Sequence, residues 1–164
     1  MSLPAGAKQA EPAPHPGTYI HATALAIGEA GVLIRGPSGA GKSRLALELI
    51  AEANHRTLFA RLVGDDRVAI ETHDRRLIAR FHPTIAGKIE SRGEGIIDAA
   101  YEGAVVIRLI VDLGGEGTPP LPRLPLTQPR TSLHGISLPH LRLDGADPAQ
   151  AGFVIRHLLR MGNG

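Results

Sequence analysis

The sequence contains no cysteine and no tryptophan, and only 3% of its residues are aromatic. The absence of cysteine excludes a disulfide framework, a thiolate metal site and a cysteine nucleophile. Because aromatic side chains are scarce, the core must be built mainly from Ala, Leu, Ile and Val. With 43% hydrophobic residues, the 164-residue chain is still apolar enough to form one globular domain.

Long apolar runs and clusters of one charge are also absent. No apolar run approaches the roughly 18 residues that a membrane span needs. The N-terminus lacks the basic start and apolar centre of a signal peptide, which predicts a cytoplasmic protein. The net charge is only +2, and no basic run is interleaved with aromatic residues, so a nucleic-acid partner is not expected.

The first 16 residues carry four prolines and several small residues. This composition predicts a disordered leader over residues 1–16, followed by one domain over residues 17–164. Residues 114–130 contain five prolines and are expected to form a surface excursion. Residues 83–99, rich in glycine and charge, are expected to form a functional loop.

The remaining segments predict an α/β fold with a mixed sheet and few flanking helices. Apolar segments predict one hairpin that turns at residues 28–31 and a second hairpin over residues 67–81. Single strands are predicted to end near Gly64 and to span residues 104–113. One more strand is expected within 134–143. Helices are predicted after the glycine-rich segment and from Asp147, whose side chain would cap the last helix. Crossover helices are too few for a simple doubly wound sheet.

Residues 36–43 read GPSGAGKS, the spacing of a phosphate-binding P-loop or Walker A motif. An apolar strand precedes the motif and an amphipathic helix follows it, which is the context that such a loop requires. Glycines let backbone N–H groups turn toward phosphate oxygens, and the helix N-terminus adds a positive dipole end. We therefore predict a nucleotide site formed by Gly36, Pro37, Ser38, Gly39, Ala40, Gly41, Lys42 and Ser43. Lys42 would reach the β- and γ-phosphates, and Ser43 would give an oxygen to Mg²⁺.

Two adjacent carboxylates, Asp65 and Asp66, follow a predicted strand. One carboxylate in this place is the usual partner of the Mg²⁺ at a P-loop, and a second can accept a proton from an attacking hydroxyl. A turn cap is the alternative, since Asp is favoured in turns. Glu90 is a further oxygen donor suited to Mg²⁺, and Arg92 beside it would bind phosphate or pair with a neighbouring glutamate.

These segments together resemble the catalytic domain of bacterial HPr kinase/phosphorylase. The family has a histidine before its P-loop strand, a G-x-S-G-x-G-K-S loop, an L-V-A-D-D segment and an E-I-R-G-L-G-I-I segment. Here the corresponding residues are His21, GPSGAGKSRLALEL at 36–49, LVGDD at 62–66 and ESRGEGII at 90–97. The resemblance extends over residues 19–113 and corresponds to short forms that consist of the catalytic domain alone.

The resemblance implies a fold related to phosphoenolpyruvate carboxykinase and an activity on a protein substrate. Members use ATP and Mg²⁺ to phosphorylate a regulatory serine of HPr, a carrier of the sugar phosphotransferase system. They also catalyse the reverse reaction, in which inorganic phosphate removes the phosphoryl group and pyrophosphate is released. The family assembles as homohexamers, so a homo-oligomer is expected.

The resemblance also implies residue roles. Lys42 would stabilise the transferred group, the pair Asp65 and Asp66 would contain the base, and His21 would tune that pair. The metal ligands would be Ser43, Glu90 and Asp66, and a catalytic arginine would correspond to Arg123.

The sequence departs from the family at several positions. Arg44 stands where a glutamate is common, and the segment around Arg123 keeps little of the family's D-R-L-G context. The family segment tied to phosphorolysis is not recognisable, and Arg142 would be its remnant, so the kinase reaction is better supported than its reverse. Two alternatives stay open: a nucleotide-binding regulator without HPr kinase activity, and a small-molecule kinase.

Overall fold

The computed structural model of the chain describes residues 17–114 and 128–162. The predicted leader, most of the predicted excursion and Arg123 lie outside these residues. The elements in chain order are β1 (Thr18–Ile20), β2 (Thr23–Ile27), β3 (Ala30–Arg35), α1 (Lys42–His55), β4 (Ala60–Gly64), β5 (Val68–His73), β6 (Arg76–Arg80), a 3₁₀ turn (Pro83–Ile85), β7 (Lys88–Ser91), β8 (Gly95–Asp98), β9 (Ala104–Leu113), β10 (Arg130–Leu133), β11 (Ile136–Leu143) and α2 (Pro148–Gly162).

Nine of these strands form one mixed sheet, as predicted. Its order is β1-β5-β6-β9-β3-β2-β4, with β11 also on β9 and β10 on β11. β3 and β11 run parallel to β9, and the other strand pairs of this sheet are antiparallel. β7 and β8 form a separate two-stranded sheet. No helix among the described residues is long and apolar enough to cross a membrane.

The central strand β9 pairs with β6 at its start and with β3 and β11 further on, and its register with β3 shifts. Gly31 of β3 faces Ile107, but the next residue, Val32, faces Leu109. β9 therefore has one extra residue at this point, and the side chains after it point to the opposite face of the sheet from the one that strict alternation would give. As a result, Ile107 and Leu109 enter different hydrophobic clusters. Position 31 must be glycine at this crossing, because a Cβ there would lie 2.6 Å from the backbone oxygen of Val106.

The two clusters cover the two faces of the central strands. On one face, α1 and α2 pack on Leu109 and its neighbours. On the other face, Leu33 and Ile110 pack against side chains of β5 and β6, among them Ile70 and Leu77. The P-loop therefore follows a strand, β3, whose two faces are both covered by packed side chains.

Both predicted hairpins are confirmed as β2–β3 and β5–β6. The predicted cap of α2 is also confirmed, since the Gln150 backbone N–H donates to the Asp147 carboxylate at 3.0 Å. The strand expected within 134–143 is confirmed as β11, but the loop expected over 83–99 was wrong and β10 was not predicted. Residues 83–99 contain the hairpin β7–β8, and β11 forms a second hairpin with β10, which precedes it. His134 and Gly135 both have positive φ at its turn, and this dipeptide was not interpreted as a turn signal.

A side-chain network joins the carboxyl ends of β3, β9 and β11. Arg35 donates two hydrogen bonds of 2.7 Å to Asp112, and His140 Nε2 lies 2.8 Å from the same carboxylate. Burial raises the pKa of Asp112, but the hydrogen bonds and charge of Arg35, together with those of His140, outweigh it and hold the pKa below its ordinary value. Because Arg35 directly precedes Gly36, the network fixes the start of the glycine loop.

We expect Leu109→Ala to lower the free energy of unfolding by about 2–5 kcal/mol, because Leu109 is fully buried where the sheet meets the helices. Urea denaturation measures this change. Leu159→Ala on α2 is the matched control, because Leu159 is 44% exposed. It should change stability by less than about 1 kcal/mol. Equal losses in the two variants would contradict the assignment of the core.

We expect Asp112→Asn to lower the free energy of unfolding at pH 7 by about 1–3 kcal/mol, because a half-buried guanidinium loses its charged acceptor. The native pKa of Asp112 is depressed, so its contribution is present above the unfolded pKa of about 4 and is lost as the pH falls through the native pKa.

Urea denaturation at several pH values between 7 and 3 tests whether the contribution of Asp112 to stability falls as the pH is lowered. The difference between wild type and Asp112→Asn should shrink as the pH falls below about 4. Asp98→Asn is the control, because Asp98 pairs with Lys88 but is 82% exposed, and exposed pairs contribute little. A difference between wild type and Asp112→Asn that stays constant across this range would show that the charge does not contribute.

Candidate active site

The glycine loop lies between the end of β3 and the start of α1. Gly39 and Gly41 have φ values of 81° and 100°, which favour glycine. A Cβ on Gly41 would also lie 2.9 Å from the Cβ of Ala146. Gly41 is the N-cap of α1, and the first turn of the helix has no acidic side chain. Its backbone N–H groups are therefore available to an anion.

Lys42 lies inside the curve of this loop. Its side chain is almost fully buried, and its ammonium donates to the backbone oxygens of Gly36 at 2.9 Å and Pro37 at 3.1 Å. A buried ammonium needs such acceptors, since desolvation penalises an unpaired charge. The loop thus holds its own cation at the place where a bound phosphate would be.

Asp65 is a buried carboxylate at the centre of the site. It accepts hydrogen bonds from the Ser43 hydroxyl at 2.8 and 2.9 Å, from the Thr23 hydroxyl at 2.7 Å and from the Glu90 backbone N–H at 3.2 Å. These donors come from α1, β2 and β7. Both carboxylate oxygens therefore face protein donors, and only 6% of the residue is exposed.

Asp66 has a different environment although it is the next residue. Its side chain is 69% exposed, and one carboxylate oxygen lies 2.5 Å from Nε2 of His21. Its φ is +66°, which is uncommon for a residue other than glycine. This backbone conformation directs the carboxylate of Asp66 away from the partners of Asp65. One carboxylate is enclosed, and the other is accessible beside a histidine.

These side chains border one cleft of about 810 Å³. It brings together ten residues that the sequence analysis had placed in the site: His21, Ser38, Gly39, Ala40, Gly41, Lys42, Ser43, Asp65, Asp66 and Glu90. Arg44 and Arg92 also line the cleft. Arg142 does not, because it lies on β11 in register with Asp112. Arg123 is outside the described residues, so its predicted role stays a prediction.

The sequence analysis gave no role to several residues at the site, among them Gly145, Ala146 and Thr23. Gly145 and Ala146, which precede α2, line the cleft next to the glycine loop. No local pattern connects them to residues 36–43, since the fold alone joins these segments. Thr23, which contacts Asp65, gives no local signal either, because it is buried at the start of β2 whereas His21, two residues before it, is exposed at a bend.

The side chains near Ser43 are suited to Mg²⁺. Ser43 and Asp65 are in contact, and Glu90 lines the same cleft, so the available donors are oxygens, which Mg²⁺ prefers. The described residues contain no group of three or more His, Cys, Asp or Glu side chains that could hold a metal ion by themselves. This fits Mg²⁺, which commonly keeps waters and shares a nucleotide's phosphates. The residues present therefore fit the ion that a P-loop implies.

Comparisons with known proteins agree with this geometry. Two curated relatives are HPr kinase/phosphorylases, from Mycoplasma mycoides subsp. mycoides SC (45% identical over 78 residues) and Clostridium beijerinckii (43% over 83 residues). The matches cover 48% and 51% of this chain but only 23% and 26% of those proteins. The chain thus matches about a quarter of the length of these relatives.

The fold is similar to a solved structure of the HPr(Ser) kinase/phosphatase from Coxiella burnetii. The TM-score is 0.71 at 27% sequence identity, and the match covers 89% of this chain and 93% of that one. Residues 15–155 match the family model described as HPr Serine kinase C-terminal domain. That range contains the glycine loop, both aspartates and most of α2. The chain therefore belongs to the HPr serine kinase C-terminal domain family.

Proposed function

We propose that this chain transfers the γ-phosphoryl group of ATP to a serine of HPr. The observation that carries the proposal is the cleft in which the glycine loop, the buried Asp65 and the exposed pair of His21 and Asp66 converge. A phosphate-binding loop alone is found in many classes of enzyme. A carboxylate accessible to an acceptor hydroxyl beside that grip is what a kinase needs. Family membership favours HPr as the acceptor.

The glycine loop and Lys42 would bind the phosphates of ATP, with the ammonium exchanging its contacts with backbone oxygens for phosphate oxygens. Ser43, Asp65 and Glu90 would hold Mg²⁺, directly or through its waters. The sequence had suggested Asp66 for this role, but Ser43 contacts Asp65, which supports Asp65 instead. The bound ion would neutralise charge on the transferred phosphoryl group.

Asp66 would act as the base. As the serine oxygen attacks the γ-phosphorus, its proton would pass to the Asp66 carboxylate, and ADP would leave. His21, at 2.5 Å, orients this carboxylate. In the reverse direction inorganic phosphate would attack phosphoserine, and the protonated Asp66 would return its proton to the serine oxygen as pyrophosphate forms. We propose this phosphorolysis as a second activity of the same residues.

We expect Asp66→Asn to lower the rate of phosphate transfer to HPr by about 10²–10⁴-fold, the usual contribution of a general base. Nucleotide affinity should change by less than about threefold, because Asp66 does not contact the glycine loop or Ser43. Transfer of labelled phosphate from ATP measures the first quantity, and calorimetry with ADP and Mg²⁺ measures the second. HPr whose regulatory serine is replaced by Ala controls for the acceptor.

Asp74→Asn is a matched control. Asp74 also has a positive φ, +48°, and also lies beside a histidine, His73, but it is in the β5–β6 turn and does not line the cleft. It should keep wild-type transfer. Asp66→Asn with full activity would eliminate Asp66 as the base. Nucleotide binding without transfer to HPr would favour the regulator, and turnover of a small acceptor would favour a small-molecule kinase.

The predicted homohexamer stays a prediction, which light scattering of the purified chain would test. Nothing in the roles assigned above depends on it.

A further inference from the structure

Thr23 is one of three polar or charged side chains that are buried among the described residues, and the other two are Lys42 and Asp65. Thr23 is fully buried, although burial of a hydroxyl is unfavourable unless it is hydrogen-bonded. Its hydroxyl donates to Oδ1 of Asp65 at 2.7 Å. The sequence analysis assigned no role to this residue.

Three donors surround the Asp65 carboxylate, but they differ in what else they do. Ser43 would also bind the ion, and the Glu90 N–H belongs to a residue whose side chain faces the cleft. Thr23 has no such second role, since it does not line the cleft. It starts β2, pairs with Ile34 and is β-branched, so its rotamers are restricted. It is therefore the donor that ties Asp65 to the rigid sheet.

Thr23 and His21 also share a segment, two residues apart. His21 contacts Asp66, and Thr23 contacts Asp65. One short segment thus contacts both of two adjacent carboxylates, one through an imidazole at the surface and one through a hydroxyl in the interior. This arrangement holds the two carboxylates in separate positions.

We propose that Thr23 is a positioning residue that fixes the Asp65 carboxylate toward Ser43, so that Asp65 serves the Mg²⁺ site and Asp66 is left as the base. The proposal rests on the proposed nucleotide site but not on HPr as the acceptor. Without the hydroxyl, Oδ1 of Asp65 would lose a buried donor, and the carboxylate would be free to turn away from Ser43. Loss of a group that orients a metal ligand typically lowers metal affinity by about 10–100-fold.

The test measures binding of the non-hydrolysable ATP analogue AMP-PNP by calorimetry, in Mg²⁺ and in EDTA. For Thr23→Val we expect about tenfold weaker binding in Mg²⁺ and less than a twofold change in EDTA. Thr23→Ser keeps the hydroxyl and should stay within about threefold of wild type in both conditions. Thr131→Val on β10 is the control, because Thr131 is a partly buried strand threonine that does not line the cleft.

Three results would overturn the proposal. They are a Thr23→Val protein that binds as wild type in Mg²⁺, one that loses equal affinity in EDTA, and a Thr23→Ser protein as weak as Thr23→Val. If Thr23→Val does not fold, Thr23→Ser and Thr23→Ala replace it, because both lack the methyl group and differ in the hydroxyl.

The binding measurement and the phosphate-transfer assay together separate this inference from the proposed function. A chain that binds Mg²⁺–AMP-PNP but does not phosphorylate HPr would overturn the kinase assignment alone. A chain that phosphorylates HPr with Thr23→Val unaltered would overturn the role of Thr23 alone. Wild-type binding that is independent of Mg²⁺ would overturn both.

Discussion

A buried carboxylate is tolerated only where donors surround it, and Asp65 is the point at which β2, β7 and α1 meet to supply them. Each of these elements brings a part of the site. β2 begins two residues after His21, α1 carries Lys42 and Ser43, and β7 carries Glu90. Satisfying one buried charge therefore fixes the relative positions of the cation, the hydroxyl and the carboxylates of the cleft. Folding energy and site geometry depend on the same contacts.

The central strand β9 supports this arrangement through the strands that it pairs with. It pairs with β6 at its start and with β3 and β11 further on. The side chains of Arg35, Asp112 and His140 then lock the three parallel strand ends together. A glycine loop gains its geometry from the strand before it and the helix after it, so a rigid strand end limits how far the loop can move.

Local features of the site could be predicted from the sequence because they depend on neighbouring residues. The spacing of Gly36, Gly41, Lys42 and Ser43, between an apolar strand and an amphipathic helix, specified the glycine loop. The β2–β3 hairpin followed from alternation and a short turn. The hairpin β7–β8 was missed because most of its residues are exposed, so burial imposes no apolar alternation on it.

The roles of Asp65 and Asp66 could not be separated by sequence reasoning. Their side chains are chemically identical, and what distinguishes them is the positive φ of Asp66 and the burial of Asp65. The contacts that enclose Asp65 come from residues more than 20 positions away, such as Ser43 and Thr23. Sequence spacing could bring the pair to the glycine loop, but it could not say which carboxylate would turn inward.

The environments of the two aspartates suit different chemistry. A carboxylate whose oxygens are already occupied by protein donors is held still, which favours a fixed role beside a metal ion. A carboxylate at the surface with one histidine contact keeps free lone pairs and can approach an incoming hydroxyl. Two neighbouring carboxylates can have different functions in one site when their surroundings differ. One can then stay ionised as a fixed charge while the other transfers a proton. In this chain the two environments belong to adjacent residues, and the second of them, Asp66, has a left-handed backbone conformation.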